Sequence, residues 1–113
     1  MVTQLPCEDL FLQTKHQDLL AFVRERAASG NFLVLPHAVL RGLERDITLP
    51  DIVHTLLSGD LEPSKDEYKV EFHSWNYSVR GQTIDKRPLR IAVAIEHNRL
   101  LIITVIRLGR RRI

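Results

Sequence analysis

Apolar residues recur at helical spacing through the first half of the chain and at alternate positions through the second. Leu12, Leu19, Val23 and Ala27 share one helical face, widened by Leu20 and Phe22, which predicts a helix from about Asp9 or Thr14 to Ser29. Gly30 follows where a C-terminal cap belongs. Asn31 to Leu35 is a short apolar run ended by Pro36 and reads as a strand or an extended entry to the next helix. That second helix runs from just after Pro36 to Arg45 or Asp46, with Val39, Leu40 and Leu43 available for burial. Thr48 and Asp51 match a capping box, and Pro50 is tolerated in a first turn. Ile52, Val53, Leu56 and Leu57 then form the buried face of a third helix, which stops at Gly59.

After Pro63 the period becomes two. Tyr68, Val70 and Phe72 alternate with Lys69, Glu71 and His73, and Trp75, Tyr77 and Val79 alternate with Asn76, Ser78 and Arg80 as far as the turn residue Gly81. Leu89, Ile91, Val93 and Ile95 continue the pattern opposite Arg90, Ala92, Ala94 and Glu96. After a connection at His97-Asn98, Arg99 to Arg107 is apolar on both faces, as a central strand should be. The predicted class is α+β: N-terminal helices packed on one face of a twisted, mainly antiparallel sheet of three to four C-terminal strands.

The length of 113 residues fits a single domain spanning 1–113, and the hydrophobic content of 44% fits a globular one. Cys7 is the single cysteine, so the chain has no intrachain disulfide and no thiolate zinc site. Leu100 to Ile106, the longest apolar run, falls far short of the ~20 residues a membrane helix needs, and Met1 to Pro6 lacks the regions of a signal peptide. A cytoplasmic protein with no membrane association is the expectation. The net charge of +2 conceals an asymmetry: residues 1–67 carry a net −5 and residues 68–113 a net +7. A basic second half, ending in the tail Arg110-Arg111-Arg112-Ile113, suits a polyanion such as RNA; it equally suits acidic helices packed on basic strands.

The candidate chemistry is sparse. Gly-rich phosphate loops and nucleophile elbows are absent, the five histidines show no metal-binding spacing, and no cofactor is implied. His37, Arg41 and Arg45 stand at i, i+4 and i+8, and four-residue steps advance only about 40° around a helix, so their heads share one stripe. A metal-independent ribonuclease needs a base for the RNA 2′-hydroxyl, an acid for the leaving 5′-oxygen and cations around the developing charge. His37 is the candidate acid or base, because imidazole titrates near pH ~6.5. Lys69, Arg80, Arg87 and Arg90, all in strands or at strand ends, are candidate phosphate contacts. Tyr77, Trp75 or His73 could stack on an unpaired base, although Trp75 and Tyr77 share a face with Val79 and suit the core. Thr104 interrupts a run of Leu, Ile and Val, where its hydroxyl needs either a backbone carbonyl or a polar cleft.

Two segments resemble a bacterial family of small uncharacterised domains, the domain of unknown function numbered 4258. The first is His37-Ala-Val-Leu-Arg41-Gly-Leu-Glu-Arg45-Asp-Ile-Thr48. The second comprises Trp75-Asn-Tyr77-Ser-Val-Arg-Gly81, Arg87-Pro-Leu89 and Ile102-Ile-Thr104-Val105, and the likeness spans about residues 31–107. The family is similar to the superfold of barnase, colicin nucleases and RelE-type toxins, and Glu67-Tyr-Lys69 is similar to a segment of the motility quorum-sensing regulator toxin. The resemblance implies that His37, Arg41, Lys69, Arg80 and Thr104 line a cleft between helices and sheet; Arg87, Arg90 and Tyr77 are the RNA contacts expected from the residues themselves. It implies an endoribonuclease toxin with RNA and a cognate antitoxin protein as partners; the other reading is a non-catalytic nucleic-acid- or protein-binding domain.

Overall fold

A computed structural model describes residues 15–108. In chain order these form helix α1 (Leu19–Ser29), strand β1 (Phe32–Val34), helices α2 (Pro36–Arg45) and α3 (Leu49–Ser58), and strand β2 (Asp60–Leu61). A 3-10 turn (Pro63–Lys65), strand β3 (Glu67–Lys69) and a second 3-10 turn (Val70–Phe72) lead to strands β4 (Ser74–Gln82), β5 (Pro88–Glu96) and β6 (Arg99–Arg107). The six-stranded sheet has the order β1-β6-β5-β4-β2, with β3 also paired to β4. All pairs are antiparallel except β1 with β6, which is parallel. The α+β class is as expected, and the sheet gains strands because β1 and β2, two or three residues each, extend its two edges. Strand β6 is interior, flanked by β1 and β5.

All three helices contribute to a core on one face of the sheet: Val23 and Ala27 from α1, Ala38 from α2, and Ile52 and Leu56 from α3 meet Val79, Leu89, Ile91, Val93, Leu100, Ile102 and Val105. Helix α1 starts at Leu19, later than the pattern predicts. Asp9, Leu12 and Thr14 lie outside the described residues, but residues 15–18 are not helical. Asp18 is left-handed (φ 52°), and the chain before it is tied to the sheet: Lys15 pairs with Asp66 at 2.9 Å, and the His16 N–H donates to the Tyr77 hydroxyl at 2.8 Å. The Gly30 cap is as predicted, left-handed at φ 75°.

Helix α2 reverses the expected burial. Its core contact is made by Ala38 and Gly42, while Val39, Leu40 and Leu43 are exposed. Small residues let this helix approach the sheet closely, and a Cβ on Gly42 would stand 3.0 Å from the Ile47 carbonyl oxygen. In α3 the Thr48–Asp51 capping box forms as predicted, and Ile52 and Leu56 are buried. Leu57 is exposed and Val53 half-buried; their places facing the sheet go to Asp51 and Thr55. The helix reaches β4 through glycines: Gly59 packs so tightly that a Cβ would lie 2.6 Å from the Arg80 carbonyl oxygen, and Gly81 abuts Gly59 and Thr55. Gly81 is therefore a packing residue inside β4, and the chain reverses only at Thr83–Arg87, with Lys86 left-handed at φ 69°.

The alternation at Val70 and Phe72 does not make a strand. After Lys69 the chain turns in a 3-10 bend, His73 is left-handed, and Val70 and Phe72 are exposed. A second irregularity lies between β5 and β6, where Ala92 pairs with Thr104 but Val93 with Ile102, leaving Ile103 as an extra residue. Leu100, Ile102 and Val105 all face the helices. Without the bulge Thr104 would follow Ile102 into the core; with it, Thr104 turns to the opposite face.

Candidate functional site

The sheet face turned away from the helices carries most of the chemistry. Pairing places Arg80 opposite Arg90, and Ser78, Ala92 and Thr104 in the next row across β4, β5 and β6. Lys69 stands beside Ser74 on the same side. Lys69, Arg80 and Thr104 thus occupy this outer face, and no cleft between helices and sheet gathers them. Tyr77 faces the core, where it is 4% exposed, and burial raises its hydroxyl above the ordinary value.

Most of the candidate cations have acidic partners. Glu62, just after β2, sits between the two facing arginines. Arg90 grips it with two contacts, Nε to Oε1 at 2.7 Å and a terminal nitrogen to Oε2 at 3.2 Å, and Arg80 reaches Oε2 at 3.4 Å. The hydrogen bond from Arg90, with both positive charges, holds the Glu62 carboxyl below its ordinary range although burial opposes this. Like charges directly across a ladder repel, and Glu62 offsets that repulsion. Lys69 pairs with Glu67 at 3.0 Å, and Arg41 with Glu44 at 2.7 Å.

Arg87 is committed to the fold. Its guanidinium contacts the Asp85 carboxylate at 3.1 Å, donates to the Arg45 and Asp46 carbonyls at the end of α2, and lies 3.7 Å from Asp51 at the start of α3. Asp51 in turn accepts from the Ile84 N–H at 3.1 Å and from the Thr48 backbone and hydroxyl. Burial alone would raise the Asp51 carboxyl; these donors and Arg87 outweigh it and lower it. The β4–β5 turn and two helix ends are thereby locked together.

Beside Thr104 the outer face deepens into a cleft of about 680 Å3. Its lining includes Ala94, Leu101 and Ile103 from the strands, the cationic and polar Lys69, His73, Asn76 and His97, the ring of Phe72, and one carboxylate, Glu96, at the end of β5. Both imidazoles hang from left-handed residues, His73 at φ 50° and His97 at φ 52°, a conformation uncommon outside glycine and often found at functional sites. Leu35, at the entry to α2, lines the same cleft, which brings the start of that helix to its rim. Val39 and Leu43 line a hollow of about 380 Å3 on the α3 side. Residues two apart differ by about 200° around a helix, so the His37–Arg41 flank turns away from that hollow. The sequence offers His73 only as a base-stacking candidate and gives His97 no role, because a turn histidine and an alternating strand histidine carry no spacing signal. Their left-handed backbone is visible only in the fold.

Among the described residues no group of three or more His, Cys, Asp or Glu side chains is arranged to hold a metal ion. No helix of the described residues is long and apolar enough to cross a membrane.

The architecture is that of a small α+β domain with one sheet face turned from its helices and furnished with cations and imidazoles. The chain belongs to the family described as Domain of unknown function (DUF4258), whose model matches residues 34–107, from the end of β1 to the end of β6. No curated protein and no solved structure matches it.

Proposed function

We propose that this protein is a metal-independent endoribonuclease, the toxin of a bacterial toxin–antitoxin pair related to the barnase, colicin and RelE-type superfold. The observation that carries the reading is the outer sheet face, where Lys69, Arg80, Arg90 and Thr104 share a surface with a cleft that includes two imidazoles. His37 takes the proton of the RNA 2′-hydroxyl, or returns one to the leaving 5′-oxygen, as that hydroxyl displaces it at the neighbouring phosphorus. Lys69 and Arg41 stabilise the charge that develops on the phosphate, and Arg80 positions the chain. Substrate phosphates displace Glu67, Glu44 and Glu62 from these cations. The test is purified protein on RNA in the presence of a chelator. Wild type is expected to cleave and His37→Ala to lose about a hundred-fold or more in rate, the typical contribution of a general acid or base. Equal rates would remove His37 from the mechanism, and absence of cleavage and of toxicity would sink the reading.

The facing pair of Arg80 and Arg90 on the outer sheet equally suits one alternative, a non-catalytic binding domain, which needs cations on a surface and no acid or base. That domain would hold polyanions with an affinity falling steeply with salt, weakened by removing Arg110–Arg112 and indifferent to His37→Ala.

A further inference from the structure

We propose that the outer-face cleft is a subsite for one unpaired nucleotide of single-stranded RNA, its base stacked on Phe72 and its phosphate held by Lys69, His73 and His97. The inference rests on the reading of RNA as substrate and adds where and how it is gripped. Phe72 is 73% exposed, an apolar ring standing at the rim of a cleft instead of in the core. The 3-10 turn puts it there: Lys69 ends β3, the turn Val70–Phe72 follows, and left-handed His73 returns the chain to β4. One four-residue step therefore supplies a cation, an aromatic face and an imidazole to the same rim. His97, from the β5–β6 turn, lines the cleft with them beside Glu96, and Lys69 is paired with Glu67 at 3.0 Å, a partner the phosphate replaces.

An aromatic face beside cationic and hydrogen-bonding heads is how proteins grip unstacked bases. A duplex offers no free base to such a platform, so the site selects single strands. The apolar floor of Ala94, Leu101 and Ile103 leaves base identity weakly read.

The probe is a short fluorescent 2′-O-methyl RNA oligomer, which has no free 2′-hydroxyl and so cannot be cleaved by this chemistry. Anisotropy is expected to show Phe72→Ala weakening binding about ten-fold, Phe72→Trp retaining it, and Lys69→Ala reducing the salt slope by about one. The same oligomer in a duplex is expected to bind more weakly than the single strand. Equal affinity of Phe72→Ala and wild type would overturn the proposal, as would equal affinity for the duplex. Displacement of the oligomer by an acidic peptide of higher, Phe72-dependent affinity would overturn it in favour of a protein-binding cleft. Phe72-dependent binding together with inert wild-type protein on ordinary RNA would uphold the subsite while ending the ribonuclease reading. Cleavage unaffected in KM by Phe72→Ala would do the reverse.

Discussion

Glu62 is held between two arginines that face each other across β4 and β5, and its carboxyl is kept below the ordinary value of 4.5 chiefly by the hydrogen bond from Arg90. A carboxyl whose pKa is lower in the folded state than in the unfolded one stabilises the fold above the unfolded value. That contribution is lost as pH falls through the folded value. Acid should therefore weaken the protein below about pH 4.5, and Glu62→Gln should flatten this limb of a stability-versus-pH curve. At neutral pH the same substitution is expected to cost about 1–3 kcal/mol, measured by denaturant unfolding, because charge-assisted hydrogen bonds are lost. Asp51 adds to the acid limb in the same direction, its carboxyl also being lowered. Thr104 shows a residue whose type was informative while its environment was not. Its hydroxyl signals something other than core in an apolar run, but only the extra residue Ile103 decides which face receives it.

At the scale of elements, the alternation at Val70 and Phe72 was overridden by a 3-10 bend the pattern does not encode. The turn between β4 and β5 places Lys86 at φ 69°, without the glycine or asparagine that usually marks such a position. Lys86→Gly should stabilise the protein by about 0.5–1 kcal/mol, read as a rise in the denaturation midpoint, since it removes a steric penalty while keeping the backbone N–H that donates to the Thr83 carbonyl at 2.9 Å. Gly81 misled in the opposite sense. It reads as a turn, yet it serves the close approach of α3 to β4. The capping box at Thr48–Asp51 and the glycine cap at Gly30 were legible because both are local, each needing only a few neighbouring residues. The exposure of Val39, Leu40 and Leu43 was not, because burial depends on which flank of α2 meets the sheet.

Across the whole molecule, the split between an acidic first part and a basic second part resolves into pairs that join them. Glu62 meets Arg80 and Arg90, Asp51 meets Arg87, and the Arg87 guanidinium also caps the end of α2. Much of the basic surplus is thus spent within the fold before any partner arrives. Freeing it has a measurable consequence. If RNA binds the outer face, Glu62→Gln should raise affinity at low salt and steepen the dependence of log K on log salt by about one to two, as two arginines become available to phosphate. An unchanged slope would place the binding surface elsewhere.

By itself the sequence determined the helices, the long strands, the caps and the class of fold, because periodicity and capping are properties of neighbouring residues. It also marked Lys69, Arg80 and Thr104 as residues needing an explanation. Only the tertiary structure decided which of them share a surface. A β-bulge turned Thr104 outward, a 3-10 turn set Phe72 and His73 on the rim of a cleft, and long-range ion pairs withdrew Arg87 from the candidates. The His37–Arg41 stripe, conspicuous in the sequence, gained its direction the same way: Val39 and Leu43 line the hollow on the α3 side, so the stripe faces away from it. Orientation and charge pairing depend on residues distant in the chain, and no local pattern carries them.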